Sequence, residues 1–351
     1  MIPIDVLKVI LPSVLTFFIG ILITPFFTDL FYKHKMWKKS SRALSDTSET
    51  FAQLHNGIEE LSTPRIGGII IWLSVLLSVL LIYVVSLVFH TGLTEKLNFL
   101  SRNQTIIPLA TLIIASLIGL ADDLLQIFGK GEYAKDPMIY RKIKTGCIIL
   151  IGLAISLWFY GKLGVSAIHV PFWYDIDLGA WFIPFFIFVM FSVFSTSVID
   201  GMDGLAGGIM SIIFTAYSVI AFTQNQINIS AFCAVVAGAI LAFLWFNIPP
   251  ARFYMGETGM VGLTVTLSVV AFLTNSVLLL MIIALPLVLT SASVVIQYIS
   301  YKYFNKHRVF KVAPLHHHFE ALGWSRAKIV MRYWVFSLIF AIIGVVVSFI
   351  S

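Results

Sequence analysis

Five carboxylates sit where an otherwise apolar chain turns polar. Asp122 and Asp123 are adjacent in "GLADDLLQIFG", Asp200 and Asp203 are three apart in "SVIDGMDGLAGG", and Glu257 lies in "FNIPPARFYMGETGM". Two acids three apart share one face of a helical turn. Adjacent carboxylates at a membrane boundary repel one another and lose hydration, so they persist most readily beside a cation. A fourth polar stretch, "APLHHHFEALGW", supplies His316, His317 and His318 inside a basic segment. Carboxylates suit Mg2+, which keeps several waters and binds through one or two carboxylates plus substrate phosphates. Lysine, arginine and histidine suit the phosphates themselves. Together these residue types point to phosphoryl transfer, in which a metal and fixed cations bring an anionic nucleophile to a phosphorus centre.

Each stretch also has a plainer reading. Asp122 and Asp123 fit a solvated helix end. Gly207-Gly208 fits helix packing through small residues, though the aspartates before it do not. Pro249-Pro250 breaks a helix, leaving Asn247, Arg252 and Tyr254 in what could be an ordinary interhelical turn. Three consecutive histidines project in different directions and make a poor metal cage. Phosphate binding by one or two of them is more natural. Phe310, Phe319 and Trp324 give this segment too much apolar surface for a disordered loop.

The elements that position these groups follow from composition. Of 351 residues, 59% are hydrophobic and 11% charged, against about 45–50% and about 25% in a soluble domain. The chain reads as an all-α polytopic integral membrane protein, one transmembrane domain over 1–351. Ten apolar spans are expected near 9–31, 66–90, 105–121, 146–160, 181–199, 206–223, 230–247, 259–274, 276–301 and 330–350. No cleavable leader is evident. Cys147 and Cys233 both lie in apolar runs and suggest neither a disulfide framework nor a zinc site. The net charge of +6 calls for no nucleic acid, because basic loops of a membrane protein report topology first.

With ten spans, alternate loops share a side. Nineteen of the 23 basic residues fall in one set, and only Lys8, Lys96, Arg102 and Lys162 fall in the other. Basic loops stay in the cytoplasm, so both termini are expected outside and all four polar stretches on the cytoplasmic face. The longest outer loop alternates around Tyr174-Asp175 and fits a small β-hairpin, with His169 and Trp173 as interfacial packing groups.

At this point the chain resembles a known family. "TPRIGG" (63–68), "GLADD" (119–123), "DGMDGLAGG" (200–208), "FNIPPARFYMGETG" (246–259) and "APLHHHFEALGW" with Arg332 and Trp334 look like the polyprenyl-phosphate N-acetylhexosamine-1-phosphate transferases. The histidine stretch is similar to the phospho-N-acetylmuramoyl-pentapeptide transferase branch, and the match runs from about residue 60 to the C-terminus. The resemblance implies that undecaprenyl phosphate attacks UDP-MurNAc-pentapeptide, or another UDP-amino sugar, in a bacterial inner membrane. UMP leaves, and Mg2+ is required. By position it implies that Asp122 and Asp123 serve the lipid phosphate, one of them as base, and that Glu257 with Asp122 holds the metal. Asp200, Asp203 and Ser197 then line the nucleotide pocket, Asn247 and Tyr254 lie near the uridine, and Lys142 and the three histidines contact phosphates or sugar. Members of the family are often homodimers.

The sequence departs from that pattern in places. Glu257 replaces the family's metal aspartate, and Met260 replaces a serine. Ser197 replaces an asparagine, Gln126 a lysine, and Glu59-Glu60 stand where a substrate-binding lysine belongs. These changes keep two alternatives open: a GlcNAc-1-phosphate-type transferase, and an inactive homologue acting as a binding partner. A transporter fits less well, because transporter sites lie near the midplane and these acids gather at one surface.

Overall fold

The computed structural model describes residues 4–37, 62–100, 104–129 and 137–351. Helices α1 (Ile4–Lys33), α2 (Gly68–Val88), the short α3 (Gly92–Leu97), α4 (Ile106–Phe128) and α5 (Pro137–Lys162) come first. A two-stranded antiparallel hairpin follows, β1 (Ala167–Ile168) with β2 (Ile176–Asp177), in the register Ala167 to Asp177 and Ile168 to Ile176. Then come α6 (Phe182–Ser195), α7 (Leu205–Thr223), α8 (Ile227–Asn247), α9 (Gly256–Leu273), α10 (Leu280–Ile283), α11 (Leu285–Tyr303), α12 (Leu315–Ala321) and α13 (Arg326–Ile350). Nine helices among the described residues are long and apolar enough to cross a membrane. Apolar spans in lipid must satisfy every backbone group internally, which is why they are helical.

The expected span over 276–301 is broken. Its apolar run divides at Ala284 into the single turn α10 and the longer α11, whose first turn carries Pro286. Serines, Gln297 and Lys302 make α11 more polar than its neighbours, and it is not among the nine. Sequence also put Arg141, Lys142 and Lys144 in a loop, but they occupy the first turns of α5. Other expected spans keep their place with different ends: α1 and α5 start earlier, α4 runs on to Phe128, and the span near 181–199 finishes in a 3-10 turn, Thr196–Ile199.

The bundle is built around α7, α8 and α9, whose apolar windows are 78%, 78% and 89% buried, against 17% for α1 and α13. Such all-round apolar helices form the interior, while the outer helices turn large apolar side chains to the lipid. Small residues let the inner helices approach closely. A side chain at Gly119 would strike the Glu257 carbonyl, and one at Gly68 would strike the Gly259 backbone. This seam of α2, α4 and α9 brings three of the quoted motifs together.

Candidate active site

At one end of α4, Asp122 and Asp123 are buried, at 6% and 1% exposure. Two carboxylates in an apolar bundle need a counter-charge. Lys144 supplies it from the start of α5, its Nζ 2.7 Å from Asp122 Oδ2 and 3.1 Å from Glu257 Oε2. The Glu257 contact is one of charge rather than of an aligned hydrogen bond. Gln126 Nε2 donates to the other Asp122 oxygen at 3.2 Å, so the residue standing in place of the family's lysine holds Asp122 by its amide. The Lys144 ammonium also lies 5.9 Å from the Phe194 ring centre.

Asp123 faces the first turn of α9. Its Oδ2 accepts from the Thr258 backbone N–H at 2.8 Å and from the Thr258 hydroxyl at 2.7 Å. A helix N-terminus favours a carboxylate in this position. The buried Arg65 of "TPRIGG" lies close enough to act on Asp123 by charge. Asp123 Oδ1 is buried without a hydrogen-bond partner. Gly256, at φ +68°, has the left-handed backbone that glycine tolerates, and a side chain there would press on Asp123 Oδ2 and the Arg65 carbonyl.

The segment 248–256 is fastened along its length by the other site residues. Asp203 Oδ2 accepts from Ala251 N, and Asp200 Oδ2 from Gly256 N, both at 3.1 Å. Asn247 accepts from Gly204 N and donates to the Phe253 carbonyl, both at 2.9 Å. Tyr254 N donates to the Pro64 carbonyl at 2.7 Å, and Gly67 N donates to the Tyr254 carbonyl at 3.0 Å. Trp334 Nε1 from α13 donates to the Gly204 carbonyl at 3.1 Å. A side chain on Gly208 would collide with the same indole. Four separate stretches of sequence thus share one backbone-latched surface.

The histidines diverge, as neighbouring side chains on a helix must. His316 is buried and lies against the Cα of Gly201, with neither ring nitrogen hydrogen-bonded. Burial, and then the charge of His317, hold the His316 imidazole well below its usual range, so it is neutral. His317 Nε2 reaches the same glycine, at 3.1 Å from where a side chain would begin, and its Nδ1 meets Glu320 Oε2 at 3.0 Å. Arg326 Nε holds the other Glu320 oxygen at 2.7 Å. Burial alone would raise the Glu320 carboxyl, but bonds from His317 and Arg326 bring it below its ordinary value. His318 points outward, accepting from Lys311 N at 3.1 Å and meeting the Phe310 ring edge-on. Lower down, Phe319 stacks on Trp324, whose other contacts are the Lys328 and Arg332 cations.

Of the residues named from sequence, Asp122, Asp123 and Glu257 gather around Lys144 and Thr258, and Asp200 and Asp203 join them through the latched segment. His316 and His317 meet the "DGMDG" loop at Gly201. Three residues are placed differently. Lys142 is exposed, and Lys144, two residues on, reaches the carboxylates. Asn247 spends its amide latching two loops, where the resemblance put it at the uridine. Ser197 lies in the 3-10 turn with its carbonyl accepting from Asp200 N at 3.2 Å, so it shapes the loop through backbone. Glu59 and Glu60 lie outside the described residues. Arg65 and Thr258 are quoted within their motifs, but nothing in their spacing tells that they embrace Asp123.

The donor set can be tested against a divalent ion. Among the described residues, no group of three or more His, Cys, Asp or Glu side chains closes into a ligand cage. Asp122 and Glu257 nevertheless turn oxygens toward one cation, and the buried Asp123 Oδ1 has no partner. Hard oxygens that leave room for phosphate ligands fit Mg2+.

Several known proteins are similar to this chain. Residues 105–275 match glycosyl transferase family 4. The chain is 34% identical to the phospho-N-acetylmuramoyl-pentapeptide-transferase of Geobacillus sp. (strain WCH70), over 97% of both chains. It is 35% identical to that of Borrelia turicatae (strain 91E135), over 82% of each, and 32% identical to that of Latilactobacillus sakei subsp. sakei (strain 23K), over 91% of this chain and 93% of the relative. A polytopic membrane protein whose polar stretches close on one carboxylate-and-cation cluster, and whose likeness runs end to end, is a phospho-sugar transferase and belongs to the phospho-N-acetylmuramoyl-pentapeptide-transferase family.

Proposed function

We propose that this protein transfers phospho-MurNAc-pentapeptide from its UDP conjugate to undecaprenyl phosphate, making lipid I for peptidoglycan. An oxygen of the lipid phosphate bonds to the sugar-linked phosphorus, the bond from that phosphorus to the UMP oxygen breaks, and UMP leaves with the electron pair. The observation that carries the reading is Asp122 and Glu257 meeting at one largely enclosed cation, Lys144, beside the partnerless Asp123 oxygen. The site lies on the cytoplasmic face of the bacterial inner membrane, supported by the positive charge of the loops that flank it.

The lipid phosphate is an anion at neutral pH and needs little help from a base. What it needs is relief from charge repulsion and a fixed approach. Lys144 and Arg65 supply fixed positive charge at the mouth of the carboxylate cluster. Asp123, gripped by Thr258, keeps one oxygen turned toward the reacting groups and can order the attacking phosphate or take a proton from it. Asp200, Asp203 and Asn247 hold the 248–256 segment as a rigid wall for the nucleotide. Glu320 and Arg326 orient His317, which with His316 faces the sugar–phosphate side. Mg2+, held by Glu257 and Asp122, would neutralise phosphate charge there.

UMP release by the purified protein in detergent tests this directly. Release depends on Mg2+ and on a polyprenyl phosphate, and is faster from UDP-MurNAc-pentapeptide than from UDP-GlcNAc. Asp123→Asn abolishes it, while Glu257→Asp retains it. Absence of UMP release from either donor would sink the proposal and favour an inactive binding partner. A preference for UDP-GlcNAc would reassign the donor.

A further inference from the structure

The far half of α11 leaves the bundle. Val295, Ile296, Tyr298, Ile299, Tyr303 and Phe304 are between 44% and 68% exposed among the described residues. An exposed apolar face of this kind on a membrane protein marks a surface in contact with the membrane. Directly beyond it the character changes. Tyr298, Tyr301, Lys302, Tyr303, Asn305 and Lys306 line a cavity of about 520 Å³. Lys302 Nζ lies 5.5 Å and 5.3 Å from the Tyr298 and Tyr303 ring centres and 3.3 Å from the Tyr298 hydroxyl. Arg308 sits 5.9 Å from the Tyr301 ring. Asn305 and Lys306 both have left-handed backbone, at φ 47° and 62°, and this tight reversal returns Lys306 to the same cavity as Lys302.

The charge here is one-sided. No acidic residue occurs in the sequence between Glu257 and Glu320. Among the described residues, neither Lys302 nor Lys306 has a carboxylate partner. Tyrosines and lysines at the end of a lipid-facing helix mark the headgroup level, where long basic side chains reach out of the hydrocarbon. The anion available at that depth is a lipid phosphate. We infer that the cavity at the end of α11 binds the headgroup of an anionic phospholipid, in the leaflet on the side of the carboxylate cluster. Lys302 and Lys306 pair with the phosphate there, and the tyrosine hydroxyls complete its hydrogen bonds. This site is separate from Asp122, Asp123 and Glu257, and the inference stands independently of the donor and acceptor of the reaction.

Native mass spectrometry of the full chain in neutral detergent tests it, with phosphatidylglycerol, phosphatidylcholine and undecaprenyl phosphate titrated separately. The protein retains phosphatidylglycerol more tightly than phosphatidylcholine. Lys302→Gln with Lys306→Gln weakens phosphatidylglycerol about five-fold per lysine, and Lys302→Arg with Lys306→Arg restores most of it. An unchanged thermal transition shows that the exposed substitutions leave the fold intact. Equal retention of the two phospholipids, unchanged affinity in the glutamine variant, or displacement of phosphatidylglycerol by undecaprenyl phosphate at equal concentration would each overturn the assignment.

Discussion

Replacing Lys144 by methionine probes the centre of the site. The substitution keeps the length of the side chain and removes the ammonium that Asp122 and Glu257 share, at 2.7 Å and 3.1 Å. Two carboxylate oxygens at most 5.8 Å apart, the sum of those two distances, then face each other without a cation. At an effective dielectric of about 20 their repulsion is about 3 kcal/mol. Removing one partner of a fully buried ion pair costs about 3–5 kcal/mol. Asp122 is 6% exposed but Glu257 is 25% exposed, so solvent screens part of that cost and about 2–3 kcal/mol remains. The thermal transition of Lys144→Met, measured in divalent-free detergent, is therefore several degrees below that of the parent. Adding Mg2+ should narrow the gap. An ion at 100 times its dissociation constant contributes about 2.7 kcal/mol to the state that binds it. In the variant it meets two unpaired carboxylates, whereas in the parent it must first displace an ammonium. Equal transitions without Mg2+ would falsify the claim that Lys144 neutralises the pair. A gap that Mg2+ leaves constant would show that metal and lysine do not share the same carboxylates.

Other perturbations separate neighbouring roles. Asn247→Ala leaves the buried Gly204 N–H and Phe253 carbonyl unpaired, at about 1–3 kcal/mol each. The transition should drop and the KM for the donor rise, whereas a residue that only reads the base would change nucleotide preference without loss of stability. Gly208→Ala pushes a methyl group into the Trp334 indole and should cost about 1–3 kcal/mol, read as a lower denaturation temperature that Trp334→Phe does not add to. His316 is neutral in the fold because its imidazole is held well below the ordinary 6.5. The unfolded chain takes up a proton there as the pH falls through about 6.5 and the folded chain does not, so stability is full above that pH and declines below it. The slope is about 1.4 kcal/mol per pH unit. His316→Gln should flatten the profile between pH 6.5 and 5, above the window in which the lowered Glu320 carboxyl begins to contribute.

The acids were legible because a carboxylate in an apolar chain has so few reasons to be there. Asp122, Asp123, Asp200, Asp203 and Glu257 can be singled out one by one, and topology puts all five on one face. The partners were harder to see. Lys142 and Lys144 look alike in sequence, and only the helical phase of α5 turns the second toward Asp122 and the first toward the surroundings. The family resemblance places Asn247 near the uridine. Whether its amide is already spent depends on Gly204, 43 residues earlier. The break of α10 from α11 was hidden for a similar reason. Hydropathy reports that a run is apolar, whereas the break at Ala284 falls just before Pro286, which has no N–H to continue a helix from α10.

The same carboxylates that carry the chemistry also hold the fold of the site. Asp123 spends Oδ2 on Thr258, Asp200 spends Oδ2 on Gly256, and Asp203 spends Oδ2 on Ala251. Each fastens the short polar run between α8 and the first turn of α9. An asparagine at any of these positions keeps a carbonyl oxygen for the backbone N–H and gives up only the charge. Alanine gives up both, and leaves a donor unpaired. The difference between the two substitutions therefore isolates the latch, and what asparagine alone loses isolates the charge. At Asp123 the charge is the greater part, because Oδ1 has no structural bond to make. At Asp203 the latch is the greater part, because the residue it holds, Ala251, lies beyond the Pro249-Pro250 pair, where the chain has left the helix and the run depends on side chains for its hydrogen bonds.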